Sequence, residues 1–386
     1  MGGEGCPAIV TGSPQLEHGK PQLGYAHTVM KALNIHVGER ARRHIAQNGL
    51  SPQDIRLVPA AAGGPKGLML THLDQHLFAD WLPQGGHGVH LVGASIGAWR
   101  MATAAMPNPR KAFEDLAHGY IHQHIEPEAG RRMPSAARIT AGFTQTLEAF
   151  FGPDIDALIQ HPRWRVHVLT SRGRQILRRN SPARTAAGLA GLALSNALSR
   201  KAVGLFLERH VFSSPGEPLP VPLRDLPTQQ ITLSRENFIP SMLASCSIPF
   251  MLEGVPSIPG APRPGAHWDG SLVDYHVHWP YASMASGLVL YPHFQQQVVP
   301  GWLDKSLRWR HRATPWLDNV VLLCPNPEWV RTLPRGKLPD RTDFTALAPT
   351  QRMEVWVEAV ERSRQLAEEW QDWLSRGCPA DVLKAL

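Results

Sequence analysis

The chain has 386 residues, 43% of them hydrophobic, and a formal net charge of +7. A chain of this size can bury one large core or two smaller ones. Its four cysteines have no C-x-x-C spacing, which indicates reduced thiols rather than a disulfide framework. The first residues lack the basic and apolar regions of a secretory signal, so we expect a cytoplasmic protein.

The predicted elements begin with a loosely ordered arm over residues 1–36, of which the first thirty are rich in glycine and proline. A helix is predicted around Glu39–Gln47, and "IRLVPAAAGG" predicts a buried strand that enters a glycine loop. The next segments, in order, predict a helix, a strand and a helix: "LMLTHLDQHLFADWL", "GVHLVGAS" and "IGAWRMATAAM". This alternation is typical of an α/β fold with a mostly parallel central sheet covered by helices, in a three-layer α/β/α arrangement.

A strand is then predicted in "RWRVHVLTSRG", followed by a basic and apolar insertion at about residues 172–212. The longest uncharged run of this insertion, Thr185–Ser199, is shorter than the roughly 20 apolar residues that span a bilayer. It could be a core helix, a lid or an element in a membrane interface. "NVVLLCP" predicts a late strand, and residues 350–376 predict an amphipathic helix.

The positive charge is concentrated around that insertion. Between Ala157 and Leu207 there are nine basic residues and no acidic one, while the rest of the chain is close to neutral. Such a block indicates an anionic partner, or else a solvated face without a partner. Aromatic residues do not alternate with the arginines as they do in RNA-binding segments, so no nucleic-acid partner is expected.

The motif G-x-S-x-G, formed by Gly93, Ser95 and Gly97, lies between a predicted strand and a predicted helix. Glycines at these positions allow the strand and the helix to cross closely while the serine hydroxyl stands at the sharp turn. Ser95 is therefore a candidate nucleophile, provided that a base and donors for an oxyanion are present.

The segment "AAGGPKG" is the candidate oxyanion loop. Gly63 and Gly64 would leave backbone N–H groups uncovered near the start of a helix, where negative charge is favoured. Lys66 adds a positive charge, and Gly67 follows it where a phosphate-binding loop would require serine or threonine. The alternative is a plain strand-to-helix turn.

For the base, none of the 19 histidines stands out. The segment "HWDGSLVDYHVHWP" contains Asp269 directly before a glycine. It also contains His267, His276 and His278, which could bind a metal but are expected by default to be structural or to line the site. We therefore predict no metal and no cofactor.

Four segments in this order resemble the patatin-like phospholipase family, in particular its bacterial-type acyl hydrolases: "AAGGPKG", "GASIG", "ASCSIPFMLEGV" and "DGS". The resemblance covers roughly residues 56–278. It implies a patatin-like catalytic domain over residues 37–386. Two departures stand out: the family's Asp-Gly-Gly-Gly start is Ala-Ala-Gly-Gly here, and its late Asp-Gly-Gly/Ala is Asp-Gly-Ser.

By position, the resemblance implies that Ser95 is the nucleophile and Asp269 the base of a Ser–Asp dyad. It implies that Gly63 and Gly64 supply the oxyanion donors, while Lys66 and Gly67 support the loop. The carboxylate would take the serine proton directly, and water would later cleave the acyl-enzyme.

The implied activity is hydrolysis of carboxylic esters, as in a phospholipase A or other lipid acyl hydrolase acting on phospholipids or lysophospholipids. One alternative is an esterase, thioesterase or polyester depolymerase with the same dyad. Another is a non-catalytic, basic membrane-binding protein. For the lipid enzyme we expect peripheral contact with an anionic membrane through four arginines: Arg172, Arg174, Arg178 and Arg179.

Overall fold

The computed structural model describes residues 31–131 and 133–386, and these form an α/β fold around one central sheet. Its strands are β1 (Leu33–Val37), β2 (Ile55–Ala60), β3 (Val89–Gly93), β4 (Trp164–Gly173), β5 (Leu207–Ser213), β6 (Thr228–Thr232), β7 (His267–Asp269), β8 (Leu288–Pro292), β9 (Val320–Pro325) and β10 (Lys384–Ala385).

The strand order is β10-β1-β9-β8-β2-β3-β4-β5-β6, and β7 pairs with β4. Six strand pairs are parallel: β9–β8, β8–β2, β2–β3, β3–β4, β5–β6 and β1–β10. The pairs β1–β9, β4–β5 and β4–β7 are antiparallel. The predicted fold class, α/β with a mostly parallel central sheet, is therefore confirmed.

The α-helices join and cover these strands. They are α1 (Glu39–Asn48), α2 (Thr71–Gln75), α3 (Ile96–Ala104), α4 (Pro109–His122), α5 (Ala136–Phe151), α6 (Ile155–Ile159), α7 (Pro182–Leu198), α8 (Arg235–Ser245), α9 (Pro327–Val330), α10 (Asp343–Ala346), α11 (Pro349–Arg362) and α12 (Arg364–Ser375).

Both faces of the sheet are buried, because alternate strand residues enter two different apolar clusters. In β8, Leu288 and Leu290 pack into the larger cluster with α3, α8 and α12, whereas Val289 and Tyr291 pack on the opposite side. That opposite side is covered largely by residues 275–284 and 294–299, on either side of β8, which form loops and a short 3-10 turn rather than long helices.

Several sequence predictions need adjustment. Residues 1–30 of the predicted arm lie outside the described residues, but Leu33–Val37 forms a fully buried strand because it pairs with β9 and β10. The arm therefore ends earlier than residue 36. The predicted insertion at residues 172–212 includes the end of β4 and most of β5, so only the part between those strands is inserted.

The two longest predicted helices are also less regular than expected. The segment after the glycine loop passes through 3-10, α and π turns over Gly64–Trp81. The C-terminal helix divides into α11 and α12 at Ser363, whose hydroxyl donates to the Val360 carbonyl of the preceding turn. Such back-bonding competes with the helical hydrogen-bond pattern.

Within residues 31–131 and 133–386, no helix has both the length and the apolar character required to cross a bilayer.

Candidate active site

The sheet brings Ser95 and Asp269 to the same edge. Gly93 of β3 pairs with Val168 of β4, and two residues further along β4 Thr170 pairs with Asp269 of β7. Ser95 also lies two residues beyond Gly93. It is therefore at the same height along the strand direction as Thr170 and Asp269. This edge holds the carboxyl ends of parallel strands, where α/β sheets commonly place their ligands.

Ser95 occupies a sharp turn between β3 and α3, as the G-x-S-x-G motif predicts. Its backbone has φ 55° and ψ −130°, a strained conformation for a residue with a side chain. A Cβ on Gly93 would lie 2.3 Å from the carbonyl carbon of Gly97, and a Cβ on Gly97 would lie 2.2 Å from the Ala60 oxygen. Only glycine at both positions therefore allows strand and helix to cross here.

Ser245, which sequence reasoning missed, anchors this turn. The Ser95 N–H donates to the Ser245 hydroxyl at 3.0 Å and to its carbonyl at 3.1 Å, and the Ser245 hydroxyl donates to the Leu169 carbonyl. The segment "ASCSIPF", which carries Ser245, contributes to the family resemblance, but the sequence predicts no role for this serine. These bonds stabilise the strained backbone of Ser95.

Asp269 is 1% exposed at the end of β7. Its Oδ1 accepts the Ser271 N–H at 2.8 Å, whereas its Oδ2 has no hydrogen-bond partner among the described residues. Burial raises the pKa of the Asp269 carboxyl above its ordinary value of 3.8. Ser271, the Arg341 charge and the Ser95 hydroxyl oppose that rise. Asp269 thus has one free oxygen and more proton affinity than a surface carboxylate.

The loop after β2 approaches this pair from the neighbouring strand. The N–H groups of Gly63 and Gly64 have no hydrogen-bond partner among the residues that the structure describes. A Cβ on Gly63 would lie 2.6 Å from the Phe294 ring, so a side chain there would displace buried structure. The Ala62 N–H donates to the Tyr275 carbonyl, which ties the loop to the segment that follows Asp269.

These groups surround one cavity of about 300 Å³. Ser95, Asp269, Gly63 and Lys66 line it, whereas Gly64 and Gly67 are buried outside the cavity wall. Apolar walls come from eight other residues: Ala62, Leu189, Ile248, Pro249, Phe250, Leu272, Tyr275 and Trp302. A small, largely apolar cavity with a few convergent polar groups is typical of a ligand site.

Two cations of this cavity, Lys305 and Arg341, were also missed by the sequence analysis, because they lie outside the segments that carry the resemblance. Arg341 reaches across the glycine loop, since a Cβ on Gly64 would lie 3.1 Å from its Nε. Lys305 Nζ lies 4.2 Å from the centre of the Tyr275 ring.

Buried ion pairs hold the elements that carry the site. Arg100 of α3 makes two hydrogen bonds of 2.6 and 2.8 Å with Asp74 of α2, and both side chains are at most 2% exposed. This pair joins α3 to the segment after the glycine loop. Arg209 of β5 likewise makes a bidentate pair with Asp274, five residues after Asp269.

The three histidines near Asp269 point to different partners. His267 Nε2 lies 3.2 Å from His210, and His278 Nε2 lies 3.0 Å from Thr314. His276 Nδ1 accepts the Val299 N–H. Across the described parts of the chain, no group of three or more His, Cys, Asp or Glu side chains is arranged to hold a metal ion.

The four arginines of the predicted membrane contact differ in exposure. Arg172 is only 5% exposed and pairs with Glu208 at 2.9 Å, so its prediction as a membrane contact is wrong: β5 supplies its counterion. Arg174 is half-buried, whereas Arg178 and Arg179 are exposed. A surface depression of about 550 Å³, which we call the arginine basin, is lined by six arginines: Arg172, Arg174, Arg178, Arg179, Arg184 and Arg263.

Helix α7 lies between the arginine basin and the cavity. Its buried face presents Thr185, Gly188, Leu192 and Asn196, while Leu189 forms part of the cavity wall. Its outer face leaves Leu194 and Leu198 67% and 82% exposed. This helix is therefore not a core helix. One of its faces is packed and contributes to the cavity wall, and the other exposes apolar side chains to solvent.

No protein-family model matches the sequence, and no curated protein matches it significantly. Solved structures do match, and one of them is human GIVD cytosolic phospholipase A2, with 11% identity and a TM-score of 0.42 over 91% of this chain. The chain spans 66% of that structure, slightly less than two thirds. A likeness of this level does not determine an activity, and the patatin-like assignment stays a prediction.

Proposed function

We propose that the protein is a serine acyl hydrolase of the patatin-like type that cleaves acyl esters of phospholipids or lysophospholipids. The observation that carries the proposal is the meeting of Ser95, Asp269 and Gly63 in one cavity. Each comes from a different strand end, and each has the chemical group that acyl transfer requires.

In this mechanism the Ser95 hydroxyl attacks the ester carbonyl, and Asp269 Oδ2 takes its proton. The N–H group of Gly63, which lines the cavity, binds the oxyanion that forms on the carbonyl oxygen. Collapse of this intermediate expels the alcohol, which receives the proton from Asp269, and leaves an acyl group on Ser95. Asp269 then takes a proton from water, whose oxygen attacks the acyl-enzyme, and it returns that proton to the Ser95 oxygen as the fatty acid leaves.

Hydrolysis of p-nitrophenyl butyrate and of lysophosphatidylcholine tests this proposal. We expect Ser95→Ala and Asp269→Asn each to lower kcat/KM by about four orders of magnitude or more, because each removes a group that acts on the reacting atoms. Ser283→Ala, which changes an exposed serine outside the cavity, should retain activity. Full turnover by purified Ser95→Ala protein would contradict the proposal.

The same pair of substrates distinguishes the two alternatives. An esterase, thioesterase or depolymerase would cleave the short soluble ester but not the lipid. A non-catalytic membrane-binding protein would cleave neither substrate and would still bind vesicles.

We further propose that the lipid substrate is met at an anionic membrane surface. The arginine basin supplies the charge, and α7 with the residues that follow it supplies exposed Leu194, Leu198 and Leu205. Cationic side chains next to an exposed apolar helix face favour peripheral binding to anionic lipids. Arg172 borders the basin, but it is buried and its charge is paired with Glu208, so we assign it no membrane contact.

Sedimentation with phosphatidylserine-containing vesicles tests this contact. Arg178→Gln/Arg179→Gln should bind more than tenfold more weakly, since each arginine near an anionic surface contributes about 1 kcal/mol. Arg331→Gln/Arg364→Gln is the matched control, because it removes the same charge from exposed arginines outside the basin. Equal binding by both double variants would leave the basin without this role.

A further inference from the structure

The cavity holds more positive charge than the proposed chemistry uses. Lys66, Lys305 and Arg341 all line it, and they come from three separate parts of the chain. Among the described residues, no carboxylate forms an ion pair with any of the three. Asp340 lines the same cavity, and its charge favours the protonated form of Lys66, but its ion pair is with Lys337 at 2.9 Å.

These cations lie close enough to influence one another. Burial lowers the pKa of Lys305 to about 8, and the charges of Arg341 and Lys66 add to that effect. Burial likewise lowers the pKa of Lys66. Like charges that disfavour one another in a partly dehydrated cavity are stabilised when an anion binds between them.

The position of these cations relative to the reacting groups is defined by contacts. Arg341 lies against Gly64 of the oxyanion loop, and its charge acts on the pKa of Asp269. Lys305 lies over Tyr275, which is part of the same wall. An anion bound by Arg341 and Lys305 would therefore sit beside the ester that Ser95 attacks.

We propose that Lys305 and Arg341, supported by Lys66, form an anion subsite that selects acyl esters carrying a phosphate group a few bonds from the scissile carbonyl. The proposal rests on the acyl hydrolase activity proposed above and names the residues that recognise the phosphate of its substrate. Arginine suits this role because its planar guanidinium can make two hydrogen bonds to a phosphate. The apolar walls of the cavity leave room for the acyl chain beside the charged head.

The first experiment measures binding without turnover. Titration calorimetry with octyl phosphate, using Ser95→Ala protein, should show one site, and octanol should bind at least about tenfold more weakly. Introducing Arg341→Gln or Lys305→Gln into the Ser95→Ala protein should also weaken octyl phosphate binding about tenfold. Adding Arg331→Gln, an exposed cation outside the cavity, should not. Equal affinities across all variants would overturn the subsite.

Inorganic phosphate as a competitor separates a lipid headgroup from the free ion. If it displaces octyl phosphate only at much higher concentration, the subsite requires an alkyl-linked phosphate, as proposed. Displacement at equal concentration would indicate a site for free phosphate and would overturn the substrate assignment.

The second experiment compares 1-octanoylglycerol 3-phosphate with 1-octanoylglycerol, which lacks only the phosphate. We expect Arg341→Gln and Lys305→Gln to raise KM for the phosphate ester about tenfold or more, and to reduce the preference for the phosphate ester over the neutral ester by a similar factor. Arg341→Lys should recover part of the loss. Equal losses of kcat on both esters would place Arg341 at the reacting atoms and overturn the subsite.

The two experiments also separate the two proposals. If wild-type protein cleaves neither ester, the hydrolase proposal fails, and the calorimetry still decides whether the anion site exists. If both esters are cleaved equally well by wild type, the hydrolase proposal stands and the anion subsite fails.

Discussion

Asp269 differs from an ordinary surface carboxylate in two ways that matter for its proposed role. Its Oδ1 is held by the Ser271 N–H, so the side chain has a fixed orientation, and its Oδ2 has no hydrogen-bond partner among the described residues. Burial also raises its pKa. A fixed carboxylate with raised proton affinity compensates in part for the weak basicity of aspartate.

The pH profile of kcat/KM should therefore show an acid limb with a midpoint above 3.8. Only the ionised carboxylate can accept the Ser95 proton, so activity is present above the raised pKa and is lost as the pH falls through it. Initial rates with p-nitrophenyl butyrate, with circular dichroism at each pH to confirm folding, measure this limb.

Arg341→Gln should shift that limb to higher pH, because the Arg341 charge favours the ionised form of Asp269. Arg331→Gln serves as the control, since it removes a charge outside the cavity. A limb that stays at the ordinary aspartate value in wild type would argue that Asp269 is not the base.

At the scale of elements, the site depends on how α3 and the segment after the glycine loop are joined. Arg100 and Asp74 supply that connection in an environment with almost no solvent, where Asp74 carries a pKa raised by burial despite the arginine. Removing one partner of a buried pair leaves the other charge uncompensated.

Arg100→Met should accordingly lower the free energy of unfolding by about 3–5 kcal/mol. Arg110→Met is the matched control, because Arg110 pairs with Asp80 while both side chains remain 41–52% exposed. An exposed pair contributes about 0–1 kcal/mol. Urea unfolding of both variants measures the difference, and similar losses in the two would refute a special role for the buried pair.

The motifs that could be predicted from the sequence are those whose residues are required by contacts between neighbouring elements of the chain. Gly93 and Gly97 are required by a crossing between neighbouring elements, and the structure places their backbones in contact as expected. The strand in which Arg172 lies was also predicted, but its burial was not, because its counterion Glu208 belongs to a different strand.

Residues that reach the site from distant segments could not be predicted in the same way. Lys305 and Arg341 lie outside any motif, and only the packing of the C-terminal part around the cavity brings them beside the glycine loop. Ser245 could not be predicted either, since its role depends on contacts with β4 and with the turn that carries Ser95. Ser363 divides the C-terminal helix through a hydrogen bond that an amphipathic pattern does not reveal.

At the scale of the whole molecule, buried histidines link stability to pH. Burial lowers the pKa of five of them from 6.5 to about 4 or about 3: His90, His210, His267, His278 and His293. The unfolded chain therefore binds more protons than the folded one between pH 6.5 and these values. Stability is fully present above pH 6.5 and is lost as the pH falls.

Between pH 6.5 and its lowered pKa, each of these histidines should lower the free energy of unfolding by up to about 1.4 kcal/mol for every unit by which the pH falls. Urea midpoints between pH 7.5 and 4.5 measure the slope. His293→Phe should reduce it, because the variant removes one titrating ring whose Nε2 has no partner among the described residues. A stability that does not change below pH 6.5 would contradict this account.

The central claim is that Ser95 is an activated nucleophile whose base is Asp269. Intact-mass measurement of labelling by a fluorophosphonate tests it most directly, because the reagent reacts with activated serines and needs no knowledge of the substrate. We predict one adduct on wild type, none on Ser95→Ala, and slow labelling of Asp269→Asn, while Ser283→Ala labels like wild type. An adduct that persists on Ser95→Ala, or a wild-type protein that does not react, would contradict the account.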